Sequence, residues 1–204
     1  MSLIQKLDQF LNKSILIKFI KELDSFVLLD TSKKKSYFID PKTGSLKKGH
    51  ELKFIEFDFR NFCDFDFFDS KYFLLNQSKA KVIVGDIHNK HISEFLRFGR
   101  GGFGYARNPS SINIIDGEIF INDLHNYLIQ KFDVNYDFIQ QIGCKGDGDF
   151  EFDLPYFSSF DQNNKRFICS DFNNDRVISF GLKLDNFKLI LEGKYTGGFY
   201  RRPS

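Results

Sequence analysis

Two stretches of this chain repeat each other at a fixed distance. Asp123, Asn126, Ile129 and Phe132, each three residues after the last, recur 48 residues on as Asp171, Asn174, Val177 and Phe180. A period of roughly 20 to 50 residues marks a unit that buries its apolar faces only against copies of itself. That constrains a chain of 204 residues more than any local pattern does. Upstream, Pro109 and Pro155 stand 46 residues apart, each opening an apolar stretch.

Each copy divides into four short strands, at 110–116, 118–123, 128–133 and 138–142 in the first and at 155–161, 165–170, 176–181 and 187–192 in the second. Alternating apolar and polar residues support the strands, and Asp, Asn and Gly mark the turns between them. Weaker copies lie at 62–69, 72–76, 81–86 and 91–98, with Asn76, Lys79 and Val82 in the frame, and at about 15–24, 25–30, 36–40 and 45–48, with Asp30 in its first position. The 27 Phe and 8 Tyr agree with this reading, since aromatic residues suit a pleated, half-buried surface. The short Asp and Asn side chains of the frame can accept backbone N–H groups, which predicts that they close the hairpin between strands two and three. Ile129, Phe132, Val177 and Phe180 are expected in the packing between sheets.

Glycine-rich strings precede the prolines: Phe98 to Tyr105 before Pro109, Gly143 to Phe150 before Pro155, and Gly193 to Phe199 before Pro203. Each leads to a strand and lacks a Gly-Lys-Ser/Thr ending, so none is a phosphate loop. They read as tight crossings from one unit's outer strand to the next unit's inner strand, a path glycine permits. On these strings, the prolines and the Asp-x-x-Asn-x-x-Ile/Val-x-x-Phe frame, the chain resembles the NHL-repeat β-propellers and related six-bladed propellers, clearly over 98–204 and diffusely over 15–97. The family often places His and then Arg after the frame Asn, where this chain has Tyr127-Leu128 and Asp175-Arg176. The structural role of the frame therefore transfers and a ligand role at those positions does not.

The resemblance implies an all-β propeller of four-stranded antiparallel blades at about 15–48, 62–98, 109–142 and 155–192, with 193–204 leading to a next blade. Six blades of about 46 residues would need about 280. Four blades and the start of a fifth make either an incomplete six-bladed propeller or a closed four-bladed one. Residues 1–14 form an N-terminal extension in which Leu3, Ile4, Leu7, Phe10 and Leu11 have the spacing of a short helix.

A net charge of +2 excludes the heavy basic excess of a nucleic-acid wrapper. Cys63, Cys144 and Cys169 form no CxxC pair, the N-terminus lacks an export signal, and no run approaches the roughly 20 apolar residues of a membrane span. A cytoplasmic protein without membrane contact is the expectation. His88 and His91 fall at a turn with no third ligand nearby, and Asp147, Asp149, Glu151 and Asp153 match no calcium-loop spacing. Asp64 and Asp66 alternate with Phe65 and Phe67 on an innermost strand, without a base or nucleophile beside them. No catalytic residue, metal site or cofactor is expected from these patterns.

What remains is a surface. In such a blade the incoming linker and the turn between strands two and three share one face. That face would carry Lys33, Lys34, Lys35, Lys79, Lys81, Arg100, Tyr105, Arg107, His125, Tyr127, Lys145, Phe172, Arg176, Arg201 and Arg202. Cations mixed with aromatic side chains suit protein interfaces and also single-stranded RNA. The expectation is a non-enzymatic module that binds a protein partner there, with RNA binding as the alternative. A metal-dependent hydrolase or lyase, as related propellers include, comes third. An open blade edge would also permit self-association.

Overall fold

A computed structural model describes residues 15–33, 35–47, 61–86, 91–101, 103–181, 183–185 and 188–190. The N-terminal extension, the 193–204 linker, Lys34, His88, Arg201 and Arg202 lie outside the described residues.

The first blade comprises β1 (Ile15–Ile20), β2 (Ser25–Asp30) and β3 (Lys35–Ile39), paired antiparallel in that order. β1 is shorter than expected, because Lys21–Leu23 form one turn of 3-10 helix that ends at Asp24 with a left-handed φ of 41°. Among the described residues, the expected fourth strand is represented by a single bridge between Ile39 and Leu46. The second blade has the order β4 (Phe62–Phe68), β5 (Lys71–Asn76), β6 (Lys81–Asp86), β7 (His91–Phe95). Its last strand stops short of the expected residue 98, since Leu96 takes a φ of 72° and breaks the run. The chain then forms β8 (Arg97–Phe98), which pairs in parallel with β9 (Tyr105–Ala106).

The third blade is complete: β10 (Pro109–Ile115), β11 (Glu118–Asp123), β12 (Leu128–Phe132) and β13 (Phe138–Ile142). A second parallel pair, β14 (Cys144–Lys145) with β15 (Glu151–Phe152), leads out of it. The fourth blade follows as β16 (Pro155–Asp161), β17 (Arg166–Asp171) and β18 (Arg176–Gly181), after which β19 (Lys183–Asp185) and β20 (Lys188–Ile190) make an antiparallel hairpin. β20 falls within the expected 187–192, but among the described residues it pairs with β19 and not with β18. The inner strands β4, β10 and β16 each begin with a bulge, at Phe62/Asp64, Pro109/Ser111 and Pro155/Ser158.

The chain divides into two compact units, residues 1–78 with 82–94, and residues 79–81 with 95–204. In the first, Ile20, Val27, Leu29 and Phe38 of blade one meet Phe62, Phe65, Phe67, Tyr72, Leu74 and Ile83 of blade two. Each such side chain contributes about 1.5–3 kcal/mol when fully buried. In the second, Ile115, Phe120, Ile129 and Ile142 of blade three meet Phe167, Cys169, Ile178 and Phe180 of blade four, with Phe152 of the linker between them. The inner ends of these two blades are joined differently, through a buried polar network. Asn113 Nδ2 donates to Ser158 Oγ at 2.8 Å, Ser158 Oγ to Asn122 Oδ1 at 2.8 Å, and Asn122 Nδ2 to the Pro155 carbonyl at 3.1 Å. Buried polar atoms are tolerable only when so paired.

Ile129, Phe132 and Phe180 are buried as expected, but Val177 is only half-buried. The reason lies in strand alternation. Val177 and Ile178 point to opposite faces of β18, and Ile178 is the one that enters the core shared with blade three.

Candidate functional site

The frame carboxylates of blades three and four do more than close their own hairpins. Asp123 reaches back to the linker: its Oδ2 and Oδ1 accept the backbone N–H groups of Arg107 and Asn108, each at 3.0 Å. Asn126 Nδ2 donates to Asp123 Oδ2 at 2.7 Å and also to the carbonyls of Gly99 and Tyr105. Blade four repeats the device. Asp171 Oδ1 accepts the Asp153 N–H at 2.6 Å, and Asn174 Nδ2 bonds both Asp171 Oδ2 and the Gly146 carbonyl at 2.8 Å. Asp-x-x-Asn is therefore a latch that ties each incoming linker to the turn between strands two and three. It needs Asp and Asn because one side chain must accept N–H groups while the other donates to carbonyls.

A backbone bond from the residue after the first frame position to the incoming segment recurs in three blades, from Gln77 N to Asn61 O, Leu124 N to Asn108 O and Phe172 N to Leu154 O. In blade one, Asp30 turns inward on its own loop and accepts Ser32 Oγ and Lys33 N. Burial pulls the Asp30 carboxyl up, but those donors and the Lys33 ammonium outweigh it and hold the group below the ordinary aspartate range. Asp123 behaves oppositely: burial outweighs its linker and Asn126 donors and pushes its carboxyl up.

The two latched linkers form the candidate surface. Gln130 helps hold the first, with Nε2 donating to Tyr105 O and Oε1 accepting the Gly104 N–H, both at 2.8 Å. Arg100, Arg107, Tyr105 and His125 are exposed in the second unit, as is Lys79, while Lys81 is half-buried. Lys145 Nζ stands 4.9 Å over the ring of half-buried Tyr127, linking the second linker to the turn that latches the first. Lys33 and Lys35 are exposed in the first unit. Phe172 is exposed, with its ring 6.2 Å from that of Tyr156.

Arg176 serves the scaffold. Its Nε donates to Asp171 Oδ2 at 2.8 Å, its Nη2 to the carbonyls of Gly148 and Glu151, and its Nη1 to that of Asp147. Its side chain is 8% exposed and spends its donors on the linker. The sequence reading missed four rings that the linkers and their flanks present, Phe98, Phe103, Phe150 and Tyr156. Their signal was the aromatic residues spaced among the linker glycines.

Asp64 and Asp66 form no open carboxylate pair. They are buried, accept the N–H groups of Phe65 and Phe67, and share Lys18 of β1 at 3.9 and 3.3 Å. Among the described residues no three of His, Cys, Asp and Glu converge as a metal set. Burial, with Asp64 adding to it, pushes the Cys63 thiol up to about 12, and burial beside Asp171 raises Cys169 as well. No helix among the described residues is long and apolar enough to cross a membrane.

No family model matches the chain, and no curated protein matches its sequence. Solved structures do match. Hydrazine synthase of Kuenenia stuttgartiensis aligns with a TM-score of 0.53 at 13% identity over 80% of this chain and 44% of that one. Streptogramin B lyase aligns with a TM-score of 0.52 at 13% identity over 82% of this chain and 51% of that one. The chain thus spans about half the length of the structures it matches. At this identity the likeness concerns the fold alone, and both neighbours are propeller-type folds. The sheets β4-β5-β6-β7 and β10-β11-β12-β13, the repeated latch and these neighbours together make the fold of this chain a β-propeller's, built from four-stranded antiparallel blades.

Proposed function

We propose that the chain is a non-enzymatic interaction module, an NHL-like propeller region that binds a protein partner through the face carrying its linkers and the turns between strands two and three. The NHL reading rests on the latch, in which Asp and Asn recur for a bonding reason, and on the glycine linkers it holds. The observation that carries the binding reading is the exposure of Phe98 (67%), Phe103 (66%) and Phe172 (57%) on segments whose backbones are pinned. Rings carried on a fixed backbone lose less entropy when a partner covers them, which is how aromatic anchors dominate protein interfaces. The three free thiols suit a reducing, cytoplasmic setting.

Photo-crosslinking tests the reading. A benzophenone side chain at position 98, 103 or 172 is expected to capture one common protein in the host cell. The same group at exposed Asn163, in the turn between strands one and two at the opposite end of blade four, is expected to capture none. Equal capture from position 163 would refute the assignment of the face.

Self-association is a second use, favoured by Ile17 (55%) and Phe19 (45%) on the outward side of β1. A sedimentation profile that stays monomeric across concentration would remove it.

A further inference from the structure

The two linkers of the second unit are equivalent in fold and opposite in charge. Residues 96–108 carry Arg97, Arg100 and Arg107 and no acid, a net charge of +3. Residues 143–154 carry Lys145 against Asp147, Asp149, Glu151 and Asp153, a net charge of −3. All three arginines are exposed, and none forms an ion pair with a described residue. Phe98, Phe103 and Tyr105 stand between them, also exposed. Lys145, the one cation of the second linker, is committed to the Tyr127 ring.

The linkers flank one turn. Asn126 bonds the first through Gly99 and Tyr105, and the next residue, Tyr127, meets the second through Lys145. A uniform polyanion tracking across this face would gain at the first linker and lose at the second, because like charges repel within about a Debye length of 8 Å. A ligand whose negative charge is confined to a few residues pays no such penalty. Arginine forks match carboxylates, and the rings between them suit apolar side chains set among those carboxylates.

Building on the face proposed above, we infer that the partner presents a short acidic segment with interspersed aromatic or aliphatic residues, seated on the 97–107 linker. Peptide display on the purified full chain tests this. A random twelve-residue library is expected to enrich peptides with clustered Asp or Glu beside apolar residues. The R97Q/R100Q/R107Q variant is expected to bind an enriched synthetic peptide about tenfold more weakly, three exposed ion pairs being worth about 1.5 kcal/mol. D147N/D149N should leave that binding unchanged or tighten it.

Enrichment of neutral or basic peptides whose binding is lost in F103A/F172A would overturn the acidic preference and leave the face standing. Binding insensitive to both sets of substitutions would overturn the face as well. Binding of a twelve-nucleotide oligouridylate that depends on the three arginines, with no acidic peptide bound, would overturn the proposal in favour of nucleic acid.

Discussion

Replacing Asp123 by Ala tests the latch directly. The fully buried carboxylate accepts two backbone N–H groups at 3.0 Å and the Asn126 amide at 2.7 Å. A hydrogen bond to a charged group contributes roughly 1.5–3 kcal/mol, and an unpaired buried donor costs a similar amount. The linker amides are only partly buried and can take up water once released, so the low end applies and D123A should cost about 3 kcal/mol. Since 1.4 kcal/mol is a factor of ten, local opening at the Arg107 and Asn108 amides should become about a hundredfold easier. Hydrogen exchange at those two amides reads this, beside urea unfolding of the whole chain. D123N, which keeps one accepting oxygen, should lose about half as much; Asn76 already holds the same frame position in blade two. The reasoning fails if D123A unfolds at the parent's urea midpoint and its 107 and 108 amides exchange at parental rates.

The pH dependence of that loss has a definite sign. Burial raises the Asp123 carboxyl above its unfolded value, so the folded state holds this proton more tightly than the unfolded chain does. The group's contribution to stability therefore grows as pH falls from above its raised folded pKa to below the unfolded one. The stability gap between the parent and D123A should widen over that interval. A gap that narrows on acidification would place the dominant influence on Asp123 in its hydrogen bonds.

Three further outcomes follow from the same structure. R176M strips Asp171 of its cation and the 147–151 carbonyls of their donor; it should cost about 3 kcal/mol and admit protease cleavage within 146–151, whereas unchanged resistance would make Arg176 dispensable to the linker. Iodoacetamide at pH 8 should modify exposed Cys144 in the native chain and all three cysteines only after denaturation; equal labelling of half-buried Cys63 would contradict its raised thiol pKa. For Asp30, whose carboxyl is held low, the sign reverses: its contribution is present above the unfolded pKa and lost as pH falls through the folded one, so D30N should narrow the parent's acid-induced loss of stability.

Much of the fold was legible because the frame Asp and Asn do the same work in the two clear copies. Asp123 and Asp171 each end a second strand, Asn126 and Asn174 follow at the turn, and a buried bonding pattern admits few substitutes. What they bind was not legible. Local pattern suggested a hairpin closure, which Asn126 provides to Asp123, but the carboxylates also serve amides 15 to 18 residues upstream, a distance that alternation and turn propensity do not encode. Alternation equally does not reveal that Asn113, Asn122 and Ser158 are buried, each another's partner across two blades. The candidate surface was half visible: Arg100, Arg107, Tyr105 and Phe172 lie on it, while Arg176, read as one more surface cation, turns inward to the linker.

That division between buried latch and exposed linker suggests how such a scaffold acquires a binding specificity. The bonds that fix the linkers run through backbone amides and carbonyls, so they place almost no demand on linker side chains. Gly143 is an exception, since its φ of 93° and a Cβ 2.4 Å from the Phe152 ring exclude a larger residue. Elsewhere the first linker can carry three arginines and the second four acids without altering the parallel pair that each forms. On the proposed reading, stability and recognition fall to different atoms of the same segment. Charge exchange between the linkers, with Arg97, Arg100 and Arg107 made acidic and Asp147 and Asp149 made basic, should move the acidic-peptide site to the second linker with little change in unfolding midpoint. A large loss of stability in that variant would show that the linker side chains hold the fold as well.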